Sequence, residues 1–202
     1  MFSSFLKFSM TSRYKAQYLF LSLAVFMLGG CTTTLPKPVD EKSALLMVSI
    51  EAKRSIGSNT PEEVLITRKE DGQEFQYTSR DKKYYFFTNL PEGTYQIKTA
   101  KIIIRGNTTK TQSGNMTTSF SLNSSNLFNF TEQVVNDSTT HVRAGEVAYM
   151  GAITGEGTAK MFPPGSIDIT NVQLSKTEQD EHEAWRYFKD KFKESPWVKR
   201  IE

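Results

Sequence analysis

The sequence predicts a mainly β protein: an antiparallel β-sandwich of about seven to nine strands, closed by a C-terminal amphipathic helix. Three observations carry that expectation. Apolar residues between Leu46 and Leu174 recur at period two in short runs. Turn residues such as Asp71-Gly72, Pro91-Glu92-Gly93 and Pro163-Pro164-Gly165 punctuate those runs. Near the C-terminus the period changes, and Ala184, Trp185, Phe188 and Phe192 fall at helical spacing.

Residues 1–30 stand apart from this pattern. Lys7, Arg13 and Lys15 supply positive charge, and Tyr18 to Leu28 is an apolar run. That run is far short of the roughly 20 residues needed to span a bilayer. A basic start, a short apolar stretch and small residues at Gly29 and Gly30 make a secretory signal. Met10 offers a second, more compact start. Leu28-Gly29-Gly30-Cys31 resembles the lipobox of bacterial lipoprotein precursors. The resemblance implies cleavage between Gly30 and Cys31, a thioether-linked diacylglycerol on Cys31, and an N-acyl chain on the new terminus. No other cofactor is expected. Each buried lipid methylene contributes about 0.8 kcal/mol, so two or three chains hold a protein to membrane lipid where one holds it marginally. In proteobacterial lipoproteins an aspartate after the cysteine marks inner-membrane retention. Thr32 stands there, so the resemblance implies a lipid-anchored protein of the cell envelope, at the outer membrane.

The organisation expected is a signal peptide over 1–30, a lipidated flexible tether over 31–43 with Pro36 and Pro38 keeping it extended, and a β-sandwich domain over 44–202. The net charge of +3 lies wholly in the signal, because residues 31–202 hold 22 basic and 22 acidic side chains. Nucleic-acid binding needs a basic field, which this balance does not supply. Cys31 is the only cysteine. With the lipid on it no disulfide forms, and the fold rests on burial and backbone pairing.

Leu46, Val48 and Ile50 alternate with Met47, Ser49 and Glu51 in a first strand. Val64 and Ile66, then Phe75 and Tyr77, flank Asp71-Gly72, a tight-turn pair whose two central residues take positive φ. Residues 80–83 close that hairpin, and Tyr84 to Thr88 begins another strand. Leu90-Pro91-Glu92-Gly93-Thr94-Tyr95 follows, with Pro91 fixing φ and Gly93 freeing the backbone. Together with Phe87 and Ile97 this stretch resembles the signature hairpin of prealbumin-like, carboxypeptidase-regulatory-like sandwiches. In that group the residues matching Leu90 and Tyr95 pack into the core beside the turn. Ile102 to Ile104 extend the strand. Residues 106–126 are rich in Ser, Thr and Asn, a long loop or a polar edge hairpin. Residues 127–135 read as a strand. After a turn at Ala144-Gly145-Glu146, Val147, Tyr149, Gly151 and Ile153 fall on one face, and Gly145, Tyr149 and Gly151 resemble a strand of small envelope lipoproteins with this sandwich. Ile167, Ile169, Val172 and Leu174 make a last strand. Thr177 caps a helix over 177–195 that Ser195-Pro196 ends, and Trp197, Val198 and Ile201 tuck the tail back.

No catalytic constellation is visible. His182 sits among Asp180, Glu181 and Glu183, but adjacent helix positions point in different directions. His141 has no identifiable partner, so no metal site is expected. Gly155-Glu156-Gly157 with Lys160 lacks the spacing of a phosphate loop. The first reading is therefore a non-enzymatic envelope lipoprotein whose sandwich binds an envelope protein partner or supports envelope assembly. The alternative is a polysaccharide- or peptide-binding module using residues 106–126 or exposed aromatics. An envelope hydrolase built on a spatial pair of carboxylates, or on His141 near a serine, ranks last.

Overall fold

The computed structural model describes residues 34–54, 58–113, 116–159 and 167–201. The expected signal stretch, the expected cleavage residues Gly30 and Cys31, Thr32 and the expected turn at Pro163-Pro164-Gly165 lie outside them. The described chain is mainly β, with strands β1 (Ala44–Lys53), β2 (Ser58–Asn59), β3 (Glu63–Arg68), β4 (Glu74–Gln76), β5 (Ser79–Asp81), β6 (Tyr84–Leu90), β7 (Gly93–Ser113), β8 (Met116–Leu127), β9 (Thr140–Val142), β10 (Val147–Ala159) and β11 (Ile167–Ser175). Helix α1 spans Glu132–Asp137, α2 spans Glu178–Lys191, and a 3-10 turn covers Val198–Arg200.

Two sheets and a helix form three layers. The first sheet runs β11-β10-β1-β6-β5, with β2 on the end of β1, and the second runs β4-β3-β7-β8, with β9 on β7. Leu46, Val48 and Ile50 of β1 and Tyr85 and Phe87 of β6 meet Val64, Ile66, Tyr95 and Ile97 of the second sheet in one core. The opposite side chains, Leu45, Met47, Tyr84 and Phe86, meet Ala184, Phe188, Phe192 and Trp197 on the helix side. β1 and β6 are thus buried on both faces, which is why Tyr84-Tyr85-Phe86-Phe87 shows no polar alternation. Full burial of each such side chain contributes about 1.5–3 kcal/mol.

Several expectations are corrected. The first sheet is mixed, because β1 pairs with β10 in parallel. The strand segments exceed the number expected, since β2, β4, β5 and β9 are too short to show a period. At Asp71-Gly72 only Gly72 has positive φ, at 72°. The connection is a longer loop in which the Gln73 carbonyl accepts from Arg68 N at 2.8 Å and Arg68 and Asp71 pair side chain to side chain. Ser79–Asp81 is itself a strand, turning at Lys82 (φ 53°) to pair with β6.

Leu90–Gly93 is not a hairpin turn either. It carries the chain from β6 in one sheet to β7 in the other. Gly93 is needed for close approach, since a Cβ there would lie 2.7 Å from Arg68 Cδ. Residues 106–113 and 116–126 are strand, forming the far parts of the paired strands β7 and β8. The expected strand over 127–135 gives way to α1, whose cap, Thr131, accepts from Val134 N.

In β10, Met47 faces Tyr149 but Ser49 faces Ala152, so an extra residue bulges at Gly151. Gly151 has φ 122°, where L side chains are strained. The bulge switches faces. Val147 belongs to the helix-side cluster and Ile153 to the sheet–sheet core, so the single face expected breaks at Gly151. A second bulge at Asn171 (φ 49°) resets the alternation between Ile169 and Val172.

α2 ends before residue 195. Thr177 caps it in a capping box with Asp180, Lys191 is its last residue, and Phe192 closes it.

Candidate functional site

Two features are assembled from distant parts of the chain. The first is a clasp between the two ends of the described chain. Trp197 is wholly buried, and its Nε1 donates to the Pro36 carbonyl at 2.7 Å. Leu35, only 7% exposed, packs in the same cluster. Asn89, held at φ 59° in the left-handed region, accepts from Val39 N at 2.9 Å and donates to the Lys37 carbonyl at 3.3 Å. Arg200 donates to the Ser43 carbonyl and, at 3.0 Å, to the Asp40 carbonyl, and its guanidinium lies 4.9 Å from the Trp197 ring. Ser43 donates to Asp40 through its hydroxyl (2.7 Å) and amide (2.6 Å), which holds the Asp40 carboxyl below the usual carboxylate range. The tether expected to be flexible from 31 to 43 is therefore docked on the domain from Leu35 onward. Its two prolines, Pro36 and Pro38, keep it extended but also shape it to lie along the surface.

Beside the clasp, Leu90 is 2% exposed and Tyr95 fully buried, both in the sheet–sheet core. The Tyr95 hydroxyl donates back to the Pro91 carbonyl at 2.6 Å, bracing the corner between the sheets. Burial pushes that hydroxyl up to about 12. This Leu90-Pro91-Gly93-Tyr95 group shapes the end of the domain where the chain enters.

The second feature is a groove of about 680 Å³ between α2 and the β5–β6 turn. Tyr84 and Tyr187 stack in it, ring centroids 4.3 Å apart and planes 22° apart. Lys83 pairs with Glu183 at 3.3 Å, and Lys191 with Asp81 at 3.0 Å. The Tyr187 hydroxyl donates to Asp81 at 2.6 Å. Burial opposes ionisation of Asp81, but donation from Tyr187 and Lys191 outweighs it and the carboxyl sits below its usual range. Burial first, then Glu183, pushes Tyr84 up to about 12, and Tyr187 is raised by burial and by Asp81. Lys82 lies 5.7 Å from the Tyr187 ring, and Lys83 5.5 Å from that of Tyr84. Such a surface suits stacking and charge contacts. The groove was not legible from sequence, because Tyr187 lies off the apolar stripe and Lys82 and Lys83 belong to a turn.

The remaining candidates are dispersed. His141 is exposed, with Nδ1 3.4 Å from Thr94 Oγ1, and His182 is exposed on α2. Among the described residues no three His, Cys, Asp or Glu side chains stand close enough to share a metal ion. Gly155 and Gly157 lie within β10, and a Cβ on Gly155 would meet Ile169 at 2.7 Å. No known protein family, curated protein or solved structure matches the chain.

Proposed function

We propose that this chain is a lipid-anchored lipoprotein of the bacterial cell envelope, attached through Cys31 and placed by Thr32 at the outer membrane. Its domain is of the prealbumin-like type and acts without catalysis, by binding another envelope protein or supporting an assembly. The observation that carries the reading is the ordered run of Lys7, Arg13 and Lys15, the apolar stretch from Tyr18 to Leu28, and Leu28-Gly29-Gly30-Cys31. The docked segment supports it. Three residues separate Cys31 from buried Leu35, a span of at most about 14 Å over four steps. A lipid on Cys31 would mount the domain close to the bilayer. The test is Cys31→Ser, which should move the protein from the membrane fraction to the soluble one. Continued membrane attachment refutes the anchor.

A second reading, a polysaccharide or peptide bound in the groove, is favoured by the stacked Tyr84–Tyr187 pair beside Lys82 and Lys83.

A further inference from the structure

The clasp fixes the point at which the chain leaves the domain. Leu35 is buried in the cluster that holds Trp197, and the bond from Trp197 Nε1 to the Pro36 carbonyl holds the next residue. Four steps join Leu35 to Cys31, so their Cα atoms lie within about 14 Å of each other. A tether free as far as Ser43 would reach about 40 Å. The headgroup layer on one side of a bilayer is about 5–8 Å thick. With a lipid on Cys31, at most about 6–9 Å then separates Leu35 from the headgroups, roughly the length of one side chain.

The surface at this end of the domain is exposed and nearly neutral. Val39 is 81% exposed, the more exposed of the two large apolar side chains that reach solvent among the described residues. Its amide donates to Asn89 Oδ1 at 2.9 Å, so the backbone that carries it is fixed. Lys37 and Lys42 are exposed on the same segment, and Lys199 on the 3-10 turn. Lys37, Lys42, Arg143, Lys199 and Arg200 stand against Asp40, Glu41, Glu92 and Glu146, which lie on the entry segment, the Leu90–Gly93 corner and the turn before β10. Attraction to anionic lipid grows with each surplus basic residue, and here the surplus is slight. The far end is marked by β1 and β6. Ala44 pairs with Leu90 beside the clasp, whereas Lys53 ends β1 and Lys82 turns into β6 at the opposite end.

We infer that the clasp end of the domain is its membrane-contact face, seated on phospholipid headgroups with Val39 against them and with Lys53 and Lys82 turned away. The inference rests on the lipid anchor proposed above. The short docked link holds this face to the bilayer, and charge does not, so zwitterionic lipid is sufficient.

Residues 34–201 hold both sheets, both clusters and the clasp, so a chain lacking residues 1–30 is a folded unit. Cys31 is its only thiol and can be joined to a maleimide-bearing phospholipid in phosphatidylcholine vesicles. Lysine acylation by a water-soluble, membrane-impermeant reagent, read by peptide mass spectrometry, compares this chain with one capped by a soluble maleimide. Lys37, Lys42 and Lys199 should react several-fold more slowly on the vesicle, and Lys53 and Lys82 at unchanged rates. Adding phosphatidylglycerol should leave the pattern as it is. Inserting about twelve Gly and Ser residues between Thr33 and Thr34 lengthens the reach to about 55 Å and should restore the free rates. No slowing, equal slowing at all of these lysines, slowing that needs phosphatidylglycerol, or slowing that survives the insertion would each overturn the inference. Because the link is made chemically, the outcome is independent of whether Cys31→Ser releases the protein from membranes in cells.

Discussion

Replacing Trp197 tests whether the clasp holds the entry segment to the domain. The ring is fully buried beside Leu35, Phe188 and Phe192, and its only polar atom is bonded to Pro36. Trp197→Ala removes the ring and the bond, and core truncations of this kind cost about 3–5 kcal/mol. For a domain of this size each kcal/mol moves the melting midpoint by about 2–4 °C, so the midpoint should fall by roughly 6–20 °C. Trp197→Phe separates the two contributions. It keeps most of the apolar contact and loses the donor to a partly exposed carbonyl, a loss of about 1 kcal/mol. Chemical denaturation of the chain from Thr32 gives the stabilities, and timed proteolysis gives the position of opening. In Trp197→Phe, cleavage should first appear between residues 34 and 43, ahead of any cut within the sheets. Unchanged proteolysis in both variants, or stability within about 0.5 kcal/mol of wild type for Trp197→Ala, would refute the role assigned to the clasp.

Two other perturbations follow from the geometry. Gly151→Ala should cost about 2–4 kcal/mol, from backbone strain at φ 122° and a Cβ 2.9 Å from the Ser175 carbonyl, measured as a lower urea midpoint. Tyr187→Phe should cost about 1 kcal/mol at neutral pH. Because the Asp81 carboxyl is depressed in the folded state, its contribution is complete above the ordinary aspartate value of 3.8 and fades as pH falls through the lower folded value. The gap between wild type and variant should therefore hold from pH 8 to about 5, begin to narrow below about 4, and close only beneath the lower folded value. A gap unchanged at pH 3 would exclude the Tyr187–Asp81 bond as its source.

The strands were legible wherever one face meets the core and the other meets water or helix in regular alternation. Val64 and Ile66, Tyr95 and Ile97, and Ile167 and Ile169 are cases. Alternation fails where a bulge inserts a residue, as at Gly151 and Asn171, because one extra residue moves every later side chain to the other face. It also cannot say which strands are neighbours. Leu90-Pro91-Glu92-Gly93 has the chemistry of a turn, yet whether it joins paired strands or crosses between sheets depends on partners far away in sequence. The same limit hid the parallel pairing of β1 with β10. α2 and its cap, Thr177, were readable because Thr177, Ala184, Phe188 and Phe192 are close in sequence, whereas the reciprocal bond from Asp180 emerged only in the structure. The clasp was half visible: an apolar tail with Trp197 was expected to fold back, but its acceptor, Pro36, lies at the other end of the chain.

The β1–β10 pairing also governs the order in which the molecule can form. Leu45 meets Val147 and Ile50 meets Ile153, contacts that join residues about a hundred positions apart. A growing chain completes β3, β7 and β8 long before β10 exists. During that interval β1 has β6 on one side and nothing on the other, and Leu45, Leu46, Met47 and Val48 flank an open edge. Such a half-built sheet is prone to pair with whatever strand arrives first. The central sheet is therefore complete only when nearly the whole chain is present.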